Sequence, residues 1–267
     1  MKKHFISFKN IFTNLVLCCI FFISCDDNNN NNNSEKPTIK SVAPLFPNSI
    51  VSNNIDFIKA TDTDGFLSIE YLGQERKEMP GSGNDSLFDE NTFVFEANFL
   101  NNKVQIWAHS SFGTVTAAEE YAKKLTGPLG KLPDLMRSTL NHVVLQKGDG
   151  TNSSEDAGKF IILFSDKINI RIRNNDLEET VFHETAHVAF DIPYSKNSSA
   201  WREVQIKDNN NFITTYAKKN ANREDLAESA LFAYTMIKYP GRIPSNVEDW
   251  IKTNVPNRFD FFKKIFN

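Results

Sequence analysis

His183-Glu184-Thr185-Ala186-His187 forms an HExxH pattern. On a helix, residues four apart stand one turn apart and face the same way. Two imidazoles at that spacing can take two corners of one tetrahedral zinc. Glu184 is rotated away from the pair, yet close enough to hold a water beside the metal. It can take that water's proton and later pass it to a leaving group. A catalytic zinc also needs a third protein ligand and an open position. Asp191, four residues after His187, continues the same face, but three ligands on successive turns crowd one ion. It reads instead as a helix-end residue or an acceptor behind the ligands. Further on comes Arg223-Glu224-Asp225-Leu226-Ala227-Glu228-Ser229. Glu224 and Glu228 are again one turn apart. Glu224 fits the third ligand, and Glu228 fits an acceptor for a ligand imidazole N–H, which fixes the tautomer and makes a better ligand. The reverse assignment, with Glu228 on the metal, stays open.

These side chains need rigid elements to hold them. The spacing predicts a helix from Leu177 to about Phe190, capped by Asn175 with Glu178 three residues on. It predicts further helices at Ser199–Lys207, Arg223–Lys238, Asn246–Thr253 and Asn257–Ile265. Upstream, Thr116-Ala117-Ala118-Glu119 reads as a capping box opening a helix that Gly127-Pro128 should stop near Thr126. Pro133 should open a second short helix. β-branched and aromatic runs predict strands at Phe66–Leu72, Thr92–Phe99, Val104–Ala108, His142–Gln146, Phe160–Phe164 and Ile168–Ile172. Strands come first and helices last, the order of an α+β fold. No internal repeat interrupts it, and residues 52–267 read as one domain.

The first 51 residues read differently. Lys2, Lys3 and Lys9 precede an apolar run from Ile11 to Ile23, the layout of a secretory signal and short for a membrane span. The run ends at Phe22-Ile23-Ser24-Cys25, which resembles a bacterial lipoprotein lipobox, with Phe22 where Leu is usual. That resemblance implies removal of residues 1–24 and acylation of Cys25. Residues 25–51, with Asn28–Asn33 at their heart, then read as a polar tether. The chain of 267 residues carries 30 Lys+Arg and 33 Asp+Glu, net -3. Losing the three signal lysines leaves 27 basic against 33 acidic side chains, a charge of -6 that opposes binding to nucleic acid or anionic lipid headgroups. The membrane partner is therefore the N-terminal lipid. Cys18, Cys19 and Cys25 are the only cysteines, so the body holds neither a disulfide scaffold nor a thiolate zinc site.

The metzincin continuation is absent, because Phe190 and Pro193 stand where that pattern has Gly and His. HExxH, followed by Phe212-Ile213-Thr214-Thr215-Tyr216-Ala217 and Arg223–Ser229, instead resembles gluzincin-type zinc metallopeptidases. It is similar in particular to a group of bacterial HExxH proteins that also match Tyr121-Ala122, Leu132–Arg137 and Leu177–Thr180. Lethal-factor-like zincins share the Tyr before the Glu helix. The resemblance spans roughly residues 55–265. It implies a zincin fold, one Zn²⁺ and a peptide or protein substrate, with Tyr216 donating a hydrogen bond to a tetrahedral oxyanion. An extended substrate is expected to pair with an edge strand near Phe160–Phe164. The localisation implied is the cell envelope, facing periplasm or cell surface. The competing class is a zincin-fold surface lipoprotein that binds protein or glycan with little turnover. Among other residues, His109 and His142 read as structural strand histidines, Trp201 as core and Asp208 as a loop anchor.

Overall fold

The computed structural model describes residues 41–81 and 87–267. The signal, Cys25 and the tether as far as residue 40 lie outside the described residues. Six strands form one mixed sheet: β1 (Phe66–Glu78), β2 (Phe88–Phe99), β3 (Lys103–Ala108), β4 (His142–Gln146), β5 (Ser153–Glu155) and β6 (Phe160–Phe164). Their order across the sheet is β1-β2-β3-β4-β6-β5. β1, β2 and β3 pair antiparallel, β3, β4 and β6 pair parallel, and β5 returns antiparallel on β6. The helices are α1 (Val115–Lys131), α2 (Asp134–Arg137), α3 (Ser165–Asn174), α4 (Leu177–Asp191), α5 (Ala200–Lys207), α6 (Thr215–Lys219), α7 (Asp225–Lys238), α8 (Ser245–Asn254) and α9 (Pro256–Phe266). This is a mixed α/β architecture compatible with the expected α+β class, with its three longest strands in the first half and β4, β5 and β6 following α1 and α2.

Strand alternation divides the sheet's burial between two faces. Phe93, Phe95, Ala97, Val104, Ile106, Val143, Leu145, Ile161 and Leu163 join the large core with the helices. Val144, Phe160, Ile162 and Phe164 point the other way, under Met79 and beside Trp107. α4 runs through the large core, and Leu177, Val181, Phe182, Ala186, Val188 and Phe190 are all buried on it. α4 is buried on nearly every side, polar positions included, so the HExxH residues start from a fixed backbone.

Five expectations about helices and strands need correction. Ile168–Ile172 is not a strand but the middle of α3. Its apolar alternation is real, but only Ile168 is fully buried, and the helix ends at Asn175 in the left-handed region at φ 57°. That makes Asn175 the end of α3 and not the cap of α4, whose start is Asp176. Gly127-Pro128 does not stop α1, which runs on to Lys131. Its last carbonyls find a distant partner, because Arg137 Nη1 donates to the oxygens of Leu129, Gly130 and Leu132 at 3.3, 3.2 and 3.0 Å. The cap of α1 is Thr114, whose hydroxyl accepts from Ala117 N, and not Thr116. Finally, Phe160–Phe164 is interior to the sheet, and the edge is β5, which the sequence pattern missed.

The tether also ends earlier than residue 51. Phe46 makes a parallel bridge to Thr214, and Ile50 is 1% exposed. The chain from 41 onward is thus part of the packed body.

Candidate metal centre

α4 presents His183 and His187 on one face, and the turn before α7 brings Glu224 against them. Glu224 stands at the N-cap of α7, one residue before its first turn. His183 Nε2 and His187 Nε2 are 3.3 Å apart, and each lies 3.3 Å from Glu224 Oε2. The three donor atoms form a near-equilateral triangle, and all three residues are buried. Among the described residues this is the place where three His, Cys, Asp or Glu ligand atoms converge. The group can hold a metal ion.

Each donor is backed by further polar groups. His187 Nδ1 lies 2.9 Å from Asp191 Oδ2, so Asp191 is an acceptor behind His187, outside the triangle. Glu228 lies behind His183, with Oε1 3.7 Å from His183 Nδ1. That places Glu228 outside the triangle. Glu228 is 0% exposed and is held by Ser49 Oγ, Ile50 N and Thr214 Oγ1. Ser49 and Ile50 carry no sequence signal for this role; contacts spanning 179 and 178 residues reveal them.

The start of α7 is fixed from below. Asp225 Oδ2 accepts from Gln205 Nε2 at 2.9 Å and from Arg258 Nε at 3.1 Å. Arg258 Nη1 also donates to Asp208 Oδ2 at 2.9 Å, and Asp208 takes the N–H groups of Asn257 and Arg258 at the head of α9. Asp208 is therefore an anchor, as expected, and no ligand. Trp201 is core at 2% exposure.

Electrostatics follow from this packing. Burial opposes the charged form of His187, but hydrogen bonds to Asp191 and Glu224 outweigh it and push the imidazole up to about 10. Burial likewise opposes ionisation of Glu224, yet its two histidine partners hold it well below the ordinary carboxylate range. Burial raises Glu184, against the pull of both imidazoles and a hydrogen bond from Ser154. Burial and the Glu224 charge push the Tyr216 phenol up to about 12, so it keeps its proton.

His183, Glu184, His187, Glu224 and Tyr216 all line one cleft of about 330 Å³. Ser153, Ser154 and Glu155 of β5 form one wall, while Lys196, Asn222 and Arg223 stand at other points of the rim. Apart from the Tyr216 ring, the lining is polar or charged. A smaller cavity of about 180 Å³ shares His183 and Glu184 and continues toward Val51, Lys167 and Arg171. A larger hollow of about 580 Å³ beside Asn54–Lys59 and Tyr239–Arg242 brings no imidazole together with a carboxylate. Size therefore does not pick out the site, but side-chain chemistry does. No protein-family model, curated protein or solved structure matches this chain.

Proposed function

We propose that this chain is a lipid-anchored, extracytoplasmic zinc metallohydrolase of the gluzincin type, with a zincin-like fold, acting on peptide bonds. The observation that carries the reading is the donor triangle of His183, His187 and Glu224, with edges of 3.3 Å. Tetrahedral zinc with bonds of about 2.0–2.1 Å sets its ligand atoms about 3.3–3.4 Å apart. An octahedral ion at the same bond length would bring neighbouring ligands to about 2.9 Å. Two imidazoles and one carboxylate also suit zinc better than magnesium or calcium. Three protein ligands leave one position open, the mark of a catalytic site and not a structural one.

When bound, zinc polarises a substrate carbonyl and makes a neighbouring water more acidic. The remaining steps belong to the chain. Glu184 sits in the cleft beside both histidines, and its raised affinity for a proton suits a base that must first accept one and then return it. It takes a proton from the attacking water and delivers it to the leaving amine. Tyr216 keeps its phenolic proton and donates a hydrogen bond to the oxygen where negative charge develops. β5 offers an extended substrate a strand to pair with, since among the described residues its outer side faces no other strand. Glu184 is the residue that favours turnover over mere binding, because a binding protein has no use for a half-buried base beside a metal. Cys25 supplies the lipid, and the acidic body makes nucleic acid a poor partner.

Two measurements decide the reading. Metal analysis of the purified protein should give about one zinc per chain, lost in His183→Ala. An unselected peptide library should be cleaved by the zinc-loaded protein and spared by Glu184→Gln. A zinc content that survives His183→Ala would sink the metal assignment, and full cleavage by Glu184→Gln would sink the mechanism.

A further inference from the structure

Glu228 is wholly buried, and its carboxylate is gripped on both oxygens. Ser49 Oγ donates to Oε1 at 2.5 Å, while Ile50 N and Thr214 Oγ1 donate to Oε2 at 2.9 and 2.8 Å. Oε1 also faces His183 Nδ1 at 3.7 Å, and that ring nitrogen is buried without a hydrogen-bond partner. Two of the three gripping donors belong to a segment far upstream in the chain. The segment is itself anchored twice. Phe46 N donates to Ile213 O at 3.0 Å and Thr215 N donates to Phe46 O at 2.8 Å. The Phe46 ring stacks on Phe232, one turn beyond Glu228 on α7, with centroids 5.7 Å apart.

We propose that Phe46–Ile50 is a positioning strap for the metal ligand His183, acting through Glu228. A buried carboxylate with one loose end can turn its lone pairs in several directions. Here Ser49, Ile50 and Thr214 pin both oxygens and hold the negative Oε1 3.7 Å from His183 Nδ1, beyond hydrogen-bond length but near enough to favour a proton there. A proton held on Nδ1 leaves the lone pair on Nε2, the nitrogen that faces the donor triangle. The same strap pairs with residues 213–215 and so fixes the loop leading to Tyr216. Ser49 and Ile50 touch no reacting atom, so they are positioning residues. The polar stretch that should carry the lipid thus leads directly into the support of a metal ligand.

This inference rests on the metal site proposed above, and the test separates the two. Zinc affinity is measured by competition with a chromogenic chelator in the full chain, in Ser49→Ala, Ser49→Thr and Glu228→Gln, and in the Ser49→Ala/Glu228→Gln double variant. Loss of a group behind a metal ligand weakens binding about 10–100-fold. Ser49→Ala should fall at the lower end of that range, and Ser49→Thr, which keeps the hydroxyl, should bind as the parent does. In the Glu228→Gln background Ser49→Ala should add nothing, a coupling that general loss of stability would not produce. Phe46→Leu loosens the strap without touching Glu228 and should shift affinity the same way, giving a second reading where Ser49→Ala folds poorly. Unchanged affinity in Ser49→Ala and Phe46→Leu overturns the strap, and full additivity with Glu228→Gln overturns the route through Glu228. A parent chain that binds no zinc defeats the metal reading instead.

Discussion

His142 and His187 are both buried, at 9% and 8% exposure, yet they have opposite characters. His142 lies between Trp107 and Phe160, with ring centroids 3.6 and 4.8 Å away and nearly parallel planes. Burial, with Lys77 nearby, pushes it down to about 4, so it is a neutral aromatic spacer. His187 has Asp191 on one nitrogen and Glu224 on the other, and it is pushed up to about 10. Burial alone makes an imidazole inert. Burial beside carboxylates makes it a strong electron donor with a fixed orientation, which a metal site requires.

That contrast can be broken or sharpened by substitution. The largest effect should come from Glu184→Gln, which lowers peptide cleavage on the order of 10²–10⁴-fold while zinc content stays at the parental level. Parallel rate and metal measurements check it, and a matching loss of zinc would mean that Glu184 only supports the ligands. Next comes Arg258→Met, which leaves Asp208 and Asp225 buried without their cation. Breaking such a buried pair costs about 3–5 kcal/mol, read as a lower urea midpoint at constant slope.

His142→Phe tests the inert partner. The folded-state pKa of His142, about 4, lies below its ordinary 6.5, so the unfolded chain takes up a proton first as pH falls. The stability is present above pH 6.5 and about 3 kcal/mol of it is lost on going down to pH 4. His142→Phe should abolish that acid loss without altering zinc content, and an unchanged acid limb in thermal unfolding would refute it. Glu179 runs the other way. It is 1% exposed, its Oε1 accepts from Phe57 N and Ile58 N, and burial raises it to about 7. The folded chain keeps its proton longer, so stability is lost as pH rises from 4.5 to 7. Glu179→Gln should gain about 3 kcal/mol more at pH 8 than at pH 4, because the amide does not titrate and any weakness as an acceptor counts equally at both.

The site was largely legible in the sequence because its signals are local. HExxH and Glu224-xxx-Glu228 each lie within one or two helical turns, and spacing alone fixes which side chains share a face. Strands β2, β3, β4 and β6 were legible for the same reason, being dense in β-branched and aromatic residues. What was hidden depends on distant partners. α1 passes Pro128 because Arg137 gathers its last carbonyls, and no rule about Gly-Pro contains that arginine. Residues 168–172 alternate like a strand but fold as α3, since period two over five residues is too short to outweigh tertiary packing. β5 has three residues, Ser153-Ser154-Glu155, with no strand-like composition. Its place is set by pairing with β6. The hold of Ser49 on Glu228 joins residues 179 apart and has no sequence signature.

The sheet's two edges carry a consequence for solubility. β1 is 13 residues long and exposed, and its register with β2 slips at three places. Glu70, Glu75, Arg76, Lys77 and Glu78 stud it. An interrupted, charged edge is a poor template for another chain. β5 is only three residues long and opens onto the cleft. A stray extended segment therefore finds the long edge guarded, and the short one offers it only three residues beside the cleft. Among the described residues the open edge is thus too brief to seed a growing stack of chains, and crowding alone should not turn this domain into fibres.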